Sequence, residues 1–235
     1  MSARIISLPS VGRAMPPAAE AQPVRGPESV ATPRSLYRLG GKRLLDIVFV
    51  LLIALPVLAV VLPLALIILA DGHSPFYGQE RVGRNGRVFR MWKLRTMVPE
   101  ADRALSELLD RDPAARSEWD LHQKLRRDPR VTAIGAFLRK TSLDELPQFW
   151  NVLVGDMSVV GPRPMMPNQR DLYPGKEYFD LRPGITGPWQ TSDRHETSFS
   201  ERARFDHRYY HDLSLATDVR VMMRTVSVVV SGTGC

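Results

Sequence analysis

The chain has 235 residues, 44% of them hydrophobic and 24% charged, with a formal net charge of +7 and a pI near 9.9. That length holds one catalytic domain with appendages rather than two full domains, and the basic balance suits a polyanion: nucleic acid, an anionic membrane surface or a phosphate-rich substrate. A single cysteine, Cys235, excludes a disulfide framework and a cysteine metal cluster and fits a reducing compartment.

Residues 1–40 read as a disordered arm. Pro9, Pro16, Pro17, Pro23, Pro27 and Pro33 interrupt any helix, and the apolar residues have no period. No long apolar core follows a basic start, so no signal peptide is expected. Residues 41–72 differ. From Leu44 to Ala70 about 27 residues carry one charge, Asp46, beyond the roughly 20 that a bilayer requires. Pro56 and Pro63 lie inside this run, and each removes a helical hydrogen bond. Arg34, Arg38, Lys42 and Arg43 precede it, and Arg81, Arg84, Arg87, Arg90, Lys93 and Arg95 follow it. Basic flanks belong on the cytoplasmic side. A helix that breaks at Pro56 and returns satisfies both, so a re-entrant membrane helix is expected.

Residues 73–235 read as a catalytic domain on the cytoplasmic face. Asn85-Gly86 between Arg81-Val82 and Val88-Phe89 predicts a small β-hairpin. Between Pro99 and Leu125, Ala101, Leu105, Leu108 and Leu109 recur at helical spacing, with Pro113 as a breaker. The basic residues there, Arg103, Arg111 and Arg116 among them, suit either an interfacial helix or a solvated face. The fold class expected is α+β, mainly helical.

The chemistry concentrates between Arg139 and Phe149. Ser142 followed by Glu145 is a capping-box pattern, and Asp144-Glu145 taken alone is an ordinary acidic first turn of a helix. Its neighbours suggest more. A carboxylate nucleophile must be ionised, a second carboxylate suits Mg²⁺ with substrate phosphate oxygens, and Arg139 and Lys140 bring cations to the same place. Two basic loops follow, Gly161-Pro162-Arg163-Pro164 and Arg182-Pro183-Gly184-Ile185-Thr186-Gly187. Either alone is compatible with a plain turn bearing a surface arginine. Together with the dyad they suggest a diphosphate site. No P-loop or dinucleotide-binding glycine pattern occurs.

In order, the chain carries Lys42-Arg43-x-x-Asp46, Phe89 to Met97, Asp128-Pro129-Arg130-Val131-Thr132, Arg139 to Pro147, Asn151-Val152-Leu153, Gly155-Asp156-Met157-Ser158, and the two loops. This series resembles the bacterial sugar transferases, monotopic polyprenyl-phosphate phosphoglycosyl transferases, over residues 40–230. The resemblance implies an inner-membrane enzyme with a UDP-sugar donor, a polyprenyl phosphate acceptor and Mg²⁺. It implies Asp144 as nucleophile on the β-phosphate, UMP as leaving group and Glu145 as a metal ligand. Arg163 and Arg182 would lie near phosphate and nucleotide, with Arg139 beside the dyad. Pro188-Trp189 departs from the Trp-Ala of many members, and Leu55-Pro56 from the Ser-Pro of some. The rival readings are a catalytically silent membrane scaffold and a nucleic-acid binder; the lipid segment and the lack of any nucleic-acid motif oppose the second. The hexose is left open between galactose and glucose, as is homo-oligomerisation.

Overall fold

The computed structural model describes residues 35–122, 125–192 and 199–230, so the expected arm lies outside it up to residue 34. Helical geometry starts with a π-turn, Tyr37–Gly41, which leads into α1 (Lys42–Leu69), a helix of 28 residues. The expected break at Pro56 is corrected: α1 continues through Pro56 and Pro63. Each proline lacks one N–H, but its φ is helical, so the flanking turns hold the helix together. Together with the turn, this is one helix long and apolar enough to cross a membrane. Val50, Val61, Ala65 and Ile68 are buried against the domain, while Leu51, Leu52, Leu55, Leu58, Leu62 and Leu66 are exposed.

Both ends of α1 are fastened to the same domain. At its start Lys42 pairs with the buried Asp218 at 2.6 Å, and Tyr37 and Tyr209 also donate to that carboxylate. One turn on, Asp46 is 3% exposed and accepts from Ser158 Oγ and from the Val159 N–H at 2.9 Å. Arg43 donates to the carbonyls of Val152 and Leu153. At the far end Arg95 donates to the Ile68 carbonyl at 3.2 Å and to both oxygens of Asp71 at 2.7 and 2.8 Å. Three of the basic flanking residues, Lys42, Arg43 and Arg95, thus spend their charge on protein partners.

β1 (Phe76–Val82) and β2 (Val88–Leu94) pair antiparallel from Phe76↔Leu94 to Val82↔Val88. The hairpin turn is the one expected, with Asn85 at φ 58° and Gly86 at φ 74°. α2 (Ala101–Arg111) and α3 (Pro113–His122) divide at Pro113. That proline opens α3, and the Asp112 side chain caps it by accepting from the Ala114 and Ala115 N–H groups. Arg103 pairs along the exposed surface of α2 with Glu107 and Glu100. α4 (Ala133–Thr141) is capped by Thr132, whose Oγ1 accepts from the Gly135 N–H.

After α5 (Gln148–Val154) come β3 (Ser158–Val160), α6 (Glu177–Asp180), β4 (Gly184–Thr186), α7 (Arg202–His211) and α8 (Leu215–Val230). β3 and β4 pair in parallel. Three apolar clusters stabilise this arrangement. One gathers Val50, Phe89, Met91, Val152, Met157 and Val160; a second joins Val61, Ala65 and Ile68 of α1 to Leu94 and Leu138; the third holds Val82, Met165, Tyr173 and Tyr178. The observed class is mostly helical with two small sheets, consistent with α+β.

Candidate active site

α4 ends where Ser142 takes a left-handed conformation at φ 57°, its N–H bonding to the Arg139 and Leu138 carbonyls. The chain then makes a single 3-10 turn, Leu143–Glu145, before α5. Leu143 and Leu146 pack onto the second apolar cluster, beneath the turn. The capping-box expectation is corrected here. Ser142 closes α4, its side chain caps nothing, and Asp144 and Glu145 are not in the first turn of α5. Pro147 supplies the reason. It has no N–H to bond back to Leu143, and in this short segment, without the flanking turns that carry α1 past its prolines, 3.3 Å bonds from Glu145 N to Ser142 O and from Leu146 N to Leu143 O form instead.

The cation that serves the dyad is therefore Lys93 of β2, not a helix dipole. Its Nζ lies 2.8 Å from Glu145 Oε1 and 3.4 Å from Asp144 Oδ2. Asp144 is 8% exposed. Burial pushes its carboxyl above the ordinary range, Lys93 pulls it back, Glu145 raises it further, and Arg139 lowers it. Sequence reasoning placed Lys93 in a basic flank and within the Phe89–Met97 motif, with no role in the site. The available signal was its place on β2 beside buried Met91, where a cation requires a counter-ion. β2 is itself held by α5. Asn151, 1% exposed, accepts from the Trp92 N–H at 3.0 Å and donates to the Arg90 carbonyl at 2.8 Å.

Beside the dyad opens an apolar groove of about 530 Å³, lined by Ile53, Ala54 and Val57 of α1 and by Trp92, Pro147 and Trp150. Arg139 stands on the other side. Its Nε donates to Thr96 Oγ1 at 2.9 Å, and it lines a cavity of about 600 Å³ with Trp119, Arg126, Asp128 and Arg130.

The other two expected arginines do not join the dyad. Arg163 is exposed and lies over the Trp189 ring at 5.7 Å. Arg182 donates from Nε to the Gly155 carbonyl at 2.9 Å, where burial and the nearby Arg84 and Arg43 press its pKa down. The two loops that bear them cross in backbone contact: Gly161 N–H bonds to Thr186 O and Gly184 N–H to Pro162 O. A Cβ on Gly161 would meet Arg182 O at 2.3 Å, and one on Gly184 would meet Gly161 N at 2.1 Å. These glycines serve close approach of one loop to the other.

Asp144 and Glu145 fit a hard divalent ion. Both already point at one cationic atom, Lys93 Nζ, and two carboxylates leave room for the phosphate oxygens and waters that Mg²⁺ retains.

A family model described as bacterial sugar transferase matches residues 37–232. The UDP-galactose-lipid carrier transferase of Erwinia amylovora is 46% identical over 195 residues, covering 82% of this chain and 41% of that protein. The exopolysaccharide production protein ExoY of Sinorhizobium fredii is 44% identical over 188 residues, covering 77% of this chain and 83% of that protein. The undecaprenyl-phosphate galactose phosphotransferase of Salmonella typhimurium is 42% identical over 195 residues, again with 82% of this chain and 41% of that protein covered. The chain thus spans about two fifths of the length of the first and third of these.

Proposed function

This chain belongs to the bacterial sugar transferase family, and from that premise we propose that it moves a hexose-1-phosphate from a UDP-sugar to polyprenyl phosphate, the initiating step of a surface polysaccharide. The observation that carries this reading is the convergence of Asp144 and Glu145 on Lys93, next in sequence to Leu146 and Trp92, which line an apolar groove. A phosphate bound to a long hydrocarbon needs both halves of that arrangement.

Asp144 attacks the β-phosphorus of the donor through a carboxylate oxygen. The bond from that phosphorus to the bridging oxygen breaks, and UMP leaves with the bridging oxygen and its electron pair. The product is a phospho-sugar ester of Asp144. An oxygen of the acceptor phosphate then displaces the carboxylate, giving a polyprenyl diphosphate sugar. Lys93 favours the ionised form of Asp144 against the burial that raises its pKa. Glu145, with Asp144 beside it, would hold Mg²⁺, whose contribution when bound is to neutralise charge on the diphosphate. Arg139 faces the same phosphates, Arg163 takes the nucleotide side, and Arg182 braces the loop beneath.

The membrane side of the proposal rests on α1. Its exposed apolar face enters the inner membrane, and the domain stays at the cytoplasmic surface, where the acceptor's phosphate lies.

The test uses donor labelled in the β-phosphate. Without acceptor, label should attach to the protein as UMP is released, and chelation of divalent ions should stop both. Asp144→Asn should abolish label and turnover. Turnover in Asp144→Asn, or UDP as the released product, would defeat the mechanism.

A further inference from the structure

Two histidines of α7, His207 and His211, stand one helical turn apart, the spacing that sets both imidazoles on one face. Their ring centroids lie 4.4 Å apart. Glu177, the first residue of α6, reaches the same place from the neighbouring helix, with its Oε1 2.9 Å from His207 Nδ1. One donor atom from each of the three lies within 4.8 Å of the other two. The proposed reaction makes no use of this cluster.

A hydrogen bond between one histidine and one glutamate is an ordinary surface contact and calls for no second imidazole. Here the second is supplied and left open. The His211 ring touches the rings of His207 and Tyr210 and, among the described residues, makes no hydrogen bond. The backbone beneath the three is fixed. Arg38 donates to the carbonyls of Tyr210 and His211 and so holds the last turn of α7. The Lys176 N–H donates to Glu177 Oε2 at 3.1 Å, which leaves Oε1 to the cluster. Tyr178, next to Glu177, is fully buried and donates to the Val82 carbonyl, while Asp206, next to His207, is buried and accepts from Tyr173.

Around a tetrahedral ion with bonds of 2.0–2.1 Å, neighbouring donor atoms are about 3.3 Å apart. The Glu177–His207 pair is already inside that distance, and His211, being exposed, closes the set by a side-chain rotation. A neutral imidazole offers the lone pair of one nitrogen while the other keeps its proton. Two imidazoles and a carboxylate, with water completing the shell, suit a borderline transition ion and suit Mg²⁺ poorly, since Mg²⁺ favours oxygen throughout.

We propose that Glu177, His207 and His211 form a site for a divalent transition ion of the Zn²⁺ class, separate from Asp144 and Glu145. Its effect is to clamp α6 to α7, replacing one hydrogen bond between the helices with three coordinate bonds.

The test titrates Zn²⁺ into the full chain without a histidine tag, stripped by chelator and held in detergent, followed by calorimetry and thermal melts. One ion should bind saturably at micromolar concentration or below, and the melt should rise with it. Glu145→Gln should bind this ion as the wild type does, which keeps the dyad out of the count. His207→Gln and His211→Gln should each weaken binding at least about a hundredfold, because even the loss of a partner behind a ligand costs about 10–100-fold. His211→Gln is the decisive variant, since its ring is exposed and should leave the metal-free melt unchanged. X-ray absorption at the zinc edge requires no variant and should show two imidazoles on the bound ion. Wild-type Zn²⁺ affinity in His211→Gln overturns the proposal, as does an ion coordinated by oxygen alone. So does loss of the ion in Glu145→Gln, since it would then belong to the dyad. Absence of saturable binding below about 100 µM in the wild type is equally fatal.

Discussion

Lys93 bears directly on Asp144, the proposed nucleophile. Asp144 pays for its burial with a raised pKa, and the cation 3.4 Å away opposes that rise. In the proposed mechanism the ionised form is the reactive one, so activity should fall as pH drops through the folded-state pKa of Asp144. Lys93→Gln removes the group that lowers this pKa, and the acid limb of the kcat/KM profile should therefore move to higher pH. A profile with an unmoved acid limb would show that Lys93 does not govern Asp144. The dyad was legible because Asp144 and Glu145 are adjacent in a recognisable motif. Lys93 was not legible, since its partners are 51 and 52 residues away in sequence and only strand pairing brings them together. Arg182, which opens a rigid loop and was expected near phosphate and nucleotide, donates its Nε to a carbonyl at the end of α5, a contact with no signal in the sequence.

At the scale of elements, local signals were reliable where one residue controls the backbone. Asn85-Gly86 made the hairpin turn, and Pro113 with Asp112 opened α3. The Ser142–Glu145 pattern misled because Pro147 governs the same stretch from the other side, and the backbone follows the proline. The packing of α5 on β2 had no sequence signature, since it depends on the single side chain of Asn151 replacing a neighbouring strand. Asn151→Leu would leave the half-buried Trp92 N–H and Arg90 carbonyl without their side-chain partner. The expected loss is about 2–4 kcal/mol, from two unsatisfied groups, read as a lower midpoint in thermal or denaturant melts. Turnover should fall with it, because Lys93 sits next to Trp92. A midpoint equal to wild type would mean that water replaces the amide.

For the whole molecule, the apolar segment and the basic flanks were readable from composition, but the manner of its anchoring was not. α1 is roughly 42 Å long, yet Lys42 and Asp46 at one end and Ile68 at the other bind the same domain. A straight crossing would pull one set of contacts apart. Single cysteines at Ser35 and Arg84, in a Cys235→Ser background, should both resist a membrane-impermeant thiol reagent in intact cells and react after lysis. Labelling of position 35 alone in intact cells would establish a true span. The same anchoring bears on how the protein is made. Asp218 lies 176 residues after its partner Lys42, so at 5–20 residues per second the ribosome needs on the order of 10–35 s to supply it. Ser158 and Arg95 also come later than the helix they hold. During that interval a bare apolar helix in water would seek other exposed chains, whereas lipid can receive it at once. On this reading the bilayer captures α1 first, and the rest of the chain folds against a helix already in place. Synthesis without membranes should then yield aggregate in place of an idle enzyme.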